Sequence, residues 1–291
     1  MTELVLPHAT GGQTLETNES PSVVVISASV GRPAVRRCAE SVQAQDYPRV
    51  RHLVVVDGPE FAAGATQALA DISQRKPLDI VVLPQNTGHS KHYGYRIYGA
   101  MPLLVDDDIV CYLDEDNWFD PDHVSVMVKA LRATGADWAY SLRRICADDG
   151  SVICEDDSDS LGYWPKSATI LPEGWLDDPA EVLMHKTYPN LVDSSCYALP
   201  RPLACSVAPL WQELHADSVV PSFLVPRHSG VCTGRSTVNY TLGGGTGTPP
   251  EWFTDGNQIL RGLYGPGPFP WRRSPRRLGP GSIPHPQSPA Q

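Results

Sequence analysis

Three acidic residues, Asp114-Glu115-Asp116, follow directly on the apolar run Ile109-Val110-Cys111-Tyr112-Leu113 and are closed by Asn117-Trp118-Phe119-Asp120-Pro121. This order places two carboxylates at the carboxyl end of a strand. In an extended segment alternate side chains share a face, so Asp114 and Asp116 converge on one hard cation while Glu115 points away. Other acidic motifs fit the same residues poorly. An EF-hand loop starting at Asp114 needs a ligand where Trp118 stands, glycine where Phe119 stands and glutamate where Ser125 stands. A phosphatase-type acidic nucleophile motif continues with threonine or valine at the position of Trp118 and belongs on the first strand of its domain.

The elements that must position these carboxylates are legible as alternation. Four short β-branched runs, Val23 to Ile26, Leu53 to Val56, Ile80 to Leu83 and Ile109 to Leu113, are separated by helical or loop stretches, the pattern of a parallel sheet. Pro33 opens a helix to about Ala44, with Val35, Cys38, Ala39 and Val42 at helical spacing. Pro121 opens another to about Ala133, with Asp120 as its cap. Trp138 to Ile145 reads as a strand, and Asp149-Gly150 turns it into Val152 to Cys154, so the sheet becomes mixed. Beyond Asp156 a Trp/Pro/Gly-rich loop runs to Pro189, then Leu191 to Leu199 reads as a strand and Pro202 to His215 and Ser218 to Val225 as helices. Gly243 to Gly247 reads as a loop, without the lysine or the strand-to-helix setting of a phosphate-binding P-loop.

Composition narrows the function class. The chain has 291 residues, 41% of them hydrophobic, enough for one sizeable core, and a formal charge of -10. Residues 265–291 carry four arginines and no acid, so the body is more acidic still, which argues against nucleic acid as a partner. No stretch of about 18 apolar residues occurs, and Met1 to Ser20 lacks the basic and apolar regions of a signal peptide, so a cytoplasmic protein without a transmembrane segment is expected. Seven cysteines without a C-x-x-C pair fit reduced thiols better than disulfides or zinc. The organisation expected is a disordered tail over 1–21, one α/β domain over 22–264 (halves 22–135 and 136–264), and a disordered Pro/Arg-rich tail over 265–291.

Three stretches together resemble the family 2 glycosyltransferases of GT-A fold: VVVISASVGRP from Val23 to Pro33, AESVQAQDYP from Ala39 to Pro48, and LDEDNWFDPD from Leu113 to Asp122. The resemblance spans about Ser22 to Leu131 well and residues 190–225 loosely. It implies a Rossmann-like, mostly parallel mixed sheet flanked by helices. The halves 22–135 and 136–264 would then serve the nucleotide sugar and the acceptor. The activity implied is inverting transfer of a sugar from a nucleoside-diphosphate donor to an acceptor hydroxyl.

The same resemblance implies roles for particular residues. Ala28, Ser29, Arg32, Asp57, Asn86, Lys91, Asp114 and Glu115 would line the donor, and Asp116, with Asp114 directly or through water, would hold manganese or magnesium. Asp57 at a strand end can accept the N3–H of uracil or thymine, whereas cytosine presents an opposed lone pair there. The family usually has Asp-Asp-Gly-Ser where Asp57-Gly58-Pro59-Glu60 stands, so one acidic position is missing. Asn86 to Gly94 resembles the segment whose basic residue approaches the nucleotide; Lys91 stands at that position, with His89, His92 and Arg96 as alternatives. The base for an inverting transfer matches Asp217 best, a position that equally suits a cap for the helix from Ser218; Asp193 and Glu213 are the substitutes.

The acceptor, a small molecule, glycan or lipid-linked group, is left open, with Trp164, Trp175, Trp211 and Trp252 as residues able to stack on it or to sit in the core. Two other readings compete. A sugar nucleotidyltransferase would need a Gly-x-Gly-x-Arg signature that Ser27 to Pro33 lacks. A non-catalytic sugar-nucleotide or glycan-binding module would keep the fold without the base.

Overall fold

The structure is a computed structural model and describes residues 20–157, 191–243, 248–264 and 276–278. The four β-branched runs form β1 (Val23–Ser29), β2 (Val50–Val56), β3 (Leu78–Val82) and β4 (Ile109–Tyr112). β1 pairs in parallel with β2 and β4, and β2 with β3. The register sets Ser29 beside Val56 and Ile26 beside Tyr112, so the carboxyl ends of three neighbouring strands lie together. The central strands are apolar throughout because both their faces are covered, whereas Ile80, Val81 and Val82 on edge strand β3 remain more than two-fifths exposed.

Helices α1 (Val35–Gln43), α2 (Ala62–Leu69), α3 (Tyr95–Ala100) and α4 (His123–Thr134) connect or follow these strands. Cys38 and Val42 of α1 join the main core, while Val35 and Ala39 meet Ala65 and Leu69 of α2 over Val54 and Val56 in a smaller cluster. The second half comprises β5 (Trp118–Phe119), β6 (Trp138–Cys146), β7 (Val152–Glu155), β8 (Tyr197–Pro200), α5 (Arg201–Val207), α6 (Ala216–Arg227), β9 (Gly230–Thr241), α7 (Pro250–Tyr264) and β10 (Arg276–Leu278). The sheet order is β10-β9-β6-β8-β4-β1-β2-β3, with β5 on β9 and β7 on β6. β6 runs parallel to β9, and β8 runs antiparallel to both β4 and β6, which welds the parallel half to the mixed half.

Several expected boundaries are corrected. The helix after Pro121 begins at His123 with Asp122 as N-cap, because the Asp120 carboxylate is held by Arg144 at 2.8 and 3.0 Å and by Asn239 at 2.9 Å. The strand expected from Leu191 starts only at Tyr197. Ahead of it Ser194–Cys196 forms a 3-10 turn, since Asp193 Oδ1 accepts from Ser195 N at 2.9 Å. The long helix expected from Pro202 to His215 is α5 followed by a 3-10 turn to Gln212. Residues Arg276–Leu278 are a strand rather than disordered tail: they complete the open ladder of β9, with Arg276 opposite Cys232. The remaining tails, nearly all of the Trp/Pro/Gly-rich loop with Trp164 and Trp175, and residues 244–247 lie outside the described residues. All seven cysteines are free thiols. Among the described residues no helix is long and apolar enough to cross a membrane.

Candidate active site

The acidic triplet lies in a turn after β4, closed by the Asn117 N–H donating to the Asp114 carbonyl at 3.0 Å, rather than in the extended segment expected. Glu115 turns into the protein, 3% exposed, and its carboxylate holds the turn after β1. It accepts from Ser29 Oγ at 2.6 Å, Val30 N at 3.2 Å, Arg32 N at 3.4 Å and Arg32 Nε at 2.6 Å. Ser29 and Arg32, both expected at the donor, are parts of a turn tied down by Glu115. The other end of the Arg32 guanidinium lies 3.2 Å from Asp116 Oδ2, so a cationic group already faces that carboxylate.

Asp114 is held from other elements. Tyr98 donates its hydroxyl to Asp114 Oδ1 at 2.5 Å, and Ser194 and Ser195 donate to Oδ2 at 3.0 and 3.3 Å. Tyr98 is held by an aromatic cluster, its ring 5.0 Å from Tyr112 and 5.7 Å from Trp211, and burial keeps its hydroxyl protonated as a donor. Trp211 is fully buried there, so it serves the core rather than an acceptor. The backbone beneath Asp116 is anchored from two elements. Thr241 Oγ1 of β9 donates to the Asp116 carbonyl at 2.6 Å, Arg37 of α1 donates to it at 3.5 Å while stacking on Trp118, and Asn117 Oδ1 accepts from Thr241 N at 3.0 Å.

Burial pushes the Asp114 carboxyl up to about 7, helped by the charges of Asp193 and Asp116 and opposed by the hydrogen bonds from Tyr98 and Ser194. Asp116 is also raised, chiefly by burial, with Arg32 pulling the other way. Both carboxyls are thus raised first by burial, with neighbouring acidic groups adding to it. Among the described residues no group of three His, Cys, Asp or Glu could hold a metal by itself. A cation here would take Asp116 as its open ligand and most of its remaining shell from a ligand or water. On that basis the residues fit a divalent ion shared with an oxygen-rich ligand.

Asp57, 3% exposed, clamps the loop after β3. Oδ1 accepts from Thr87 N and Thr87 Oγ1, each at 2.7 Å, and Oδ2 from Gly88 N at 2.8 Å. A carboxylate offers about four acceptor sites, so one remains on Oδ2. A side chain at Gly88 would place its Cβ 2.9 Å from that oxygen, and one at Gly94 would meet Ala28 Cβ at 2.6 Å, so both glycines allow the loop to close on β1 and β2. Asn86 Oδ1 accepts from His89 N at 3.1 Å and so shapes the same loop. Lys91 is exposed at its tip, where Ser90, Lys91 and Tyr93 all adopt positive φ. The cation that contacts the anchored end is Arg96, which donates to Thr87 O at 2.9 Å.

Of the three carboxylates considered as base, Glu213 is exposed in a turn. Asp193 is paired with Arg143 at 2.5 Å and caps the 194–196 turn. Asp217 is not the cap of its helix: α6 starts at Ala216 and its N-cap is His215 at φ 61°, which leaves Asp217 in the first turn. Burial, then Asp193, raises its carboxyl, while Arg143 and His215 act against the shift. The contacts of Tyr98, Ser194, Ser195 and Arg143 had no sequence signal beyond the serine pair following Asp193.

The family model described as "Glycosyl transferase family 2" matches residues 22–173, more than half of the chain. No curated protein matches the sequence. Among solved structures, S. aureus TarS aligns at TM-score 0.50 and 12% identity over 82% of this chain and 38% of that one. TarS 1–349 alone aligns at 0.49 and 13% over 82% and 63%, and the same fragment in complex with UDP-GlcNAc at 0.46 and 10% over 82% and 64%. This chain therefore spans less than two thirds of those chains, and the likeness at TM-score 0.50 supports the GT-A type of fold. With three stretches of its sequence, its sheet and its family match in agreement, the chain belongs to glycosyl transferase family 2.

Proposed function

We propose that the protein transfers a sugar from a uridine- or thymidine-diphosphate donor to an acceptor hydroxyl with inversion, using manganese or magnesium. The observation that carries this reading is the placement of Asp57, Asp114 and Asp116 just beyond the carboxyl ends of β2 and β4, the strands on either side of β1, with Asp193 close enough to Asp114 to raise its carboxyl. In open α/β sheets ligands bind outside those ends.

Each residue then has a task. The free acceptor site on Asp57 Oδ2 takes the base N3–H, beside the loop that Thr87 and Gly88 tie to it. Arg32 holds Asp116 before the donor arrives and turns to the diphosphate afterwards. Held by Asp116 and, directly or through water, by Asp114, the divalent ion would supply Lewis-acid stabilisation of the leaving diphosphate. Asp217 takes the proton of the attacking hydroxyl, a task suited to a carboxylate whose basicity is raised by burial.

A panel of nucleotide sugars with manganese, assayed for nucleoside diphosphate release with and without simple glycoside acceptors, tests the proposal. Acceptor-dependent release of UDP or TDP is expected, with an anomer of opposite configuration as product. Pyrophosphate as the product would instead place the protein among nucleotidyltransferases. Donor binding with no transfer across the panel would point to a binding module.

A further inference from the structure

Arg143 projects from β6 with only 6% of its side chain exposed. Its Nε donates to Asp156 Oδ2 at 2.8 Å and its Nη1 to Asp193 Oδ2 at 2.5 Å, while the guanidinium carbon stands 4.3 Å from the centre of the Tyr240 ring. Buried arginine with two carboxylates and an aromatic face has little freedom to move.

Asp193 links this pair to both sides of the site. It caps the turn whose Ser194 and Ser195 donate to Asp114, and the preceding residue, Val192, donates its N–H to the Asp217 carbonyl at 3.1 Å. Asp193 is thus the middle of three clustered carboxylates. Facing Asp217 are Asp193 from the turn, Arg143 from β6, His215 from the start of α6, Tyr95 from α3 and Tyr197 from β8. Neighbouring buried anions are costly unless one is neutralised.

We infer that Arg143 is a positioning residue for the transfer: by pairing with Asp193 it offsets part of that carboxylate's charge, which favours Asp217 as the charged group toward the acceptor, and it keeps Ser194 and Ser195 aimed at Asp114. The role given to Asp217 rests on the function proposed above.

Asp193→Asn is the first test, since asparagine also caps a turn but carries no charge. With Arg143 no longer matched by Asp193, Asp217 loses its proton more easily. In protein labelled with ¹³C at aspartate carboxyls, with Asp217→Asn identifying the signal, its titration midpoint should fall by about one pH unit, and the acid limb of the kcat profile with it. Arg143→Met should move both upward by about the same amount, and the double variant should return them toward wild type. If Arg143→Met does not fold, Arg143→Lys should keep the midpoint and lower kcat more than it changes the donor KM.

An Asp217 midpoint unmoved by Asp193→Asn overturns the inference. So does transfer abolished in Asp193→Asn but retained in Asp217→Asn, which would make Asp193 the base. A shifted midpoint in a wild-type protein that transfers no sugar removes the proposed function and leaves the charge arrangement standing, so the two failures are told apart.

Discussion

The two halves of the site spend their carboxylates differently. Around β1, β2 and β4, Glu115 and Asp57 are used to tie loops, while Asp114 accepts from Tyr98, Ser194 and Ser195 and Asp116 meets one end of the Arg32 guanidinium. Around β6 and β9 each of two arginines bridges two carboxylates. Arg143 joins Asp156 and Asp193, Arg144 joins Asp120 and Glu155, and Asp217 stands apart from these pairs. For the proposed transfer, the first half must present carboxylates to a cation, whereas the second must keep a base outside its ion pairs.

The comparison breaks most visibly at Asp217. Asp217→Asn should lower kcat by about 10²–10⁴-fold while nucleotide affinity with manganese stays near wild type, measured by initial rates and calorimetry. A loss of nucleotide binding would move Asp217 into the donor half.

Gly88→Ala should come next. The added Cβ crowds Asp57 Oδ2, so the loop shifts and donor binding weakens by roughly ten- to a hundred-fold, read as donor KM. An unchanged KM would detach the loop from the donor.

Glu115→Gln should cost about 1–3 kcal/mol of stability, because buried charge-assisted bonds to Ser29 and Arg32 are weakened, and denaturant unfolding reports it. A variant as stable as wild type would deny Glu115 its anchoring role.

The smallest effect is in the pH dependence of stability. Asp114 holds its proton up to about pH 7 in the folded chain, whereas an ordinary aspartate in the unfolded chain loses it near 4. The folded state therefore binds more protons between those values, so this group's contribution is fully present below about pH 4 and is lost as pH rises through about 7. The melting temperature of Asp114→Asn relative to wild type should rise between pH 5 and pH 8, and a fall would contradict the assignment.

The donor half was largely legible in the sequence because its strands are buried on both faces and read as apolar runs ending in acidic or glycine-containing turns. Asp57, Asp114 and Asp116 follow those runs directly. β9 was not legible. Its buried Thr237 and Asn239 interrupt the apolar pattern, and their partners include His123, Asp120, Arg144 and the Trp118 carbonyl, which lie 95 to 121 positions away. The same distance hides Tyr98, Ser194 and Ser195, whose value lies in meeting Asp114. Lys91 was selected by position in a motif, whereas contact with the loop falls to Arg96, one of its alternatives.

The central claim is that Asp116 holds a cation for the donor diphosphate. Titration of UDP into wild type and Asp116→Asn, with and without manganese, tests it most directly. Manganese should tighten UDP binding in wild type, and at a ligand excess of about 100 times Kd should stabilise the fold by about 2.7 kcal/mol, with most of this gain lost in Asp116→Asn while metal-free binding persists. An equal response to manganese in both proteins, or none in wild type, would contradict the account.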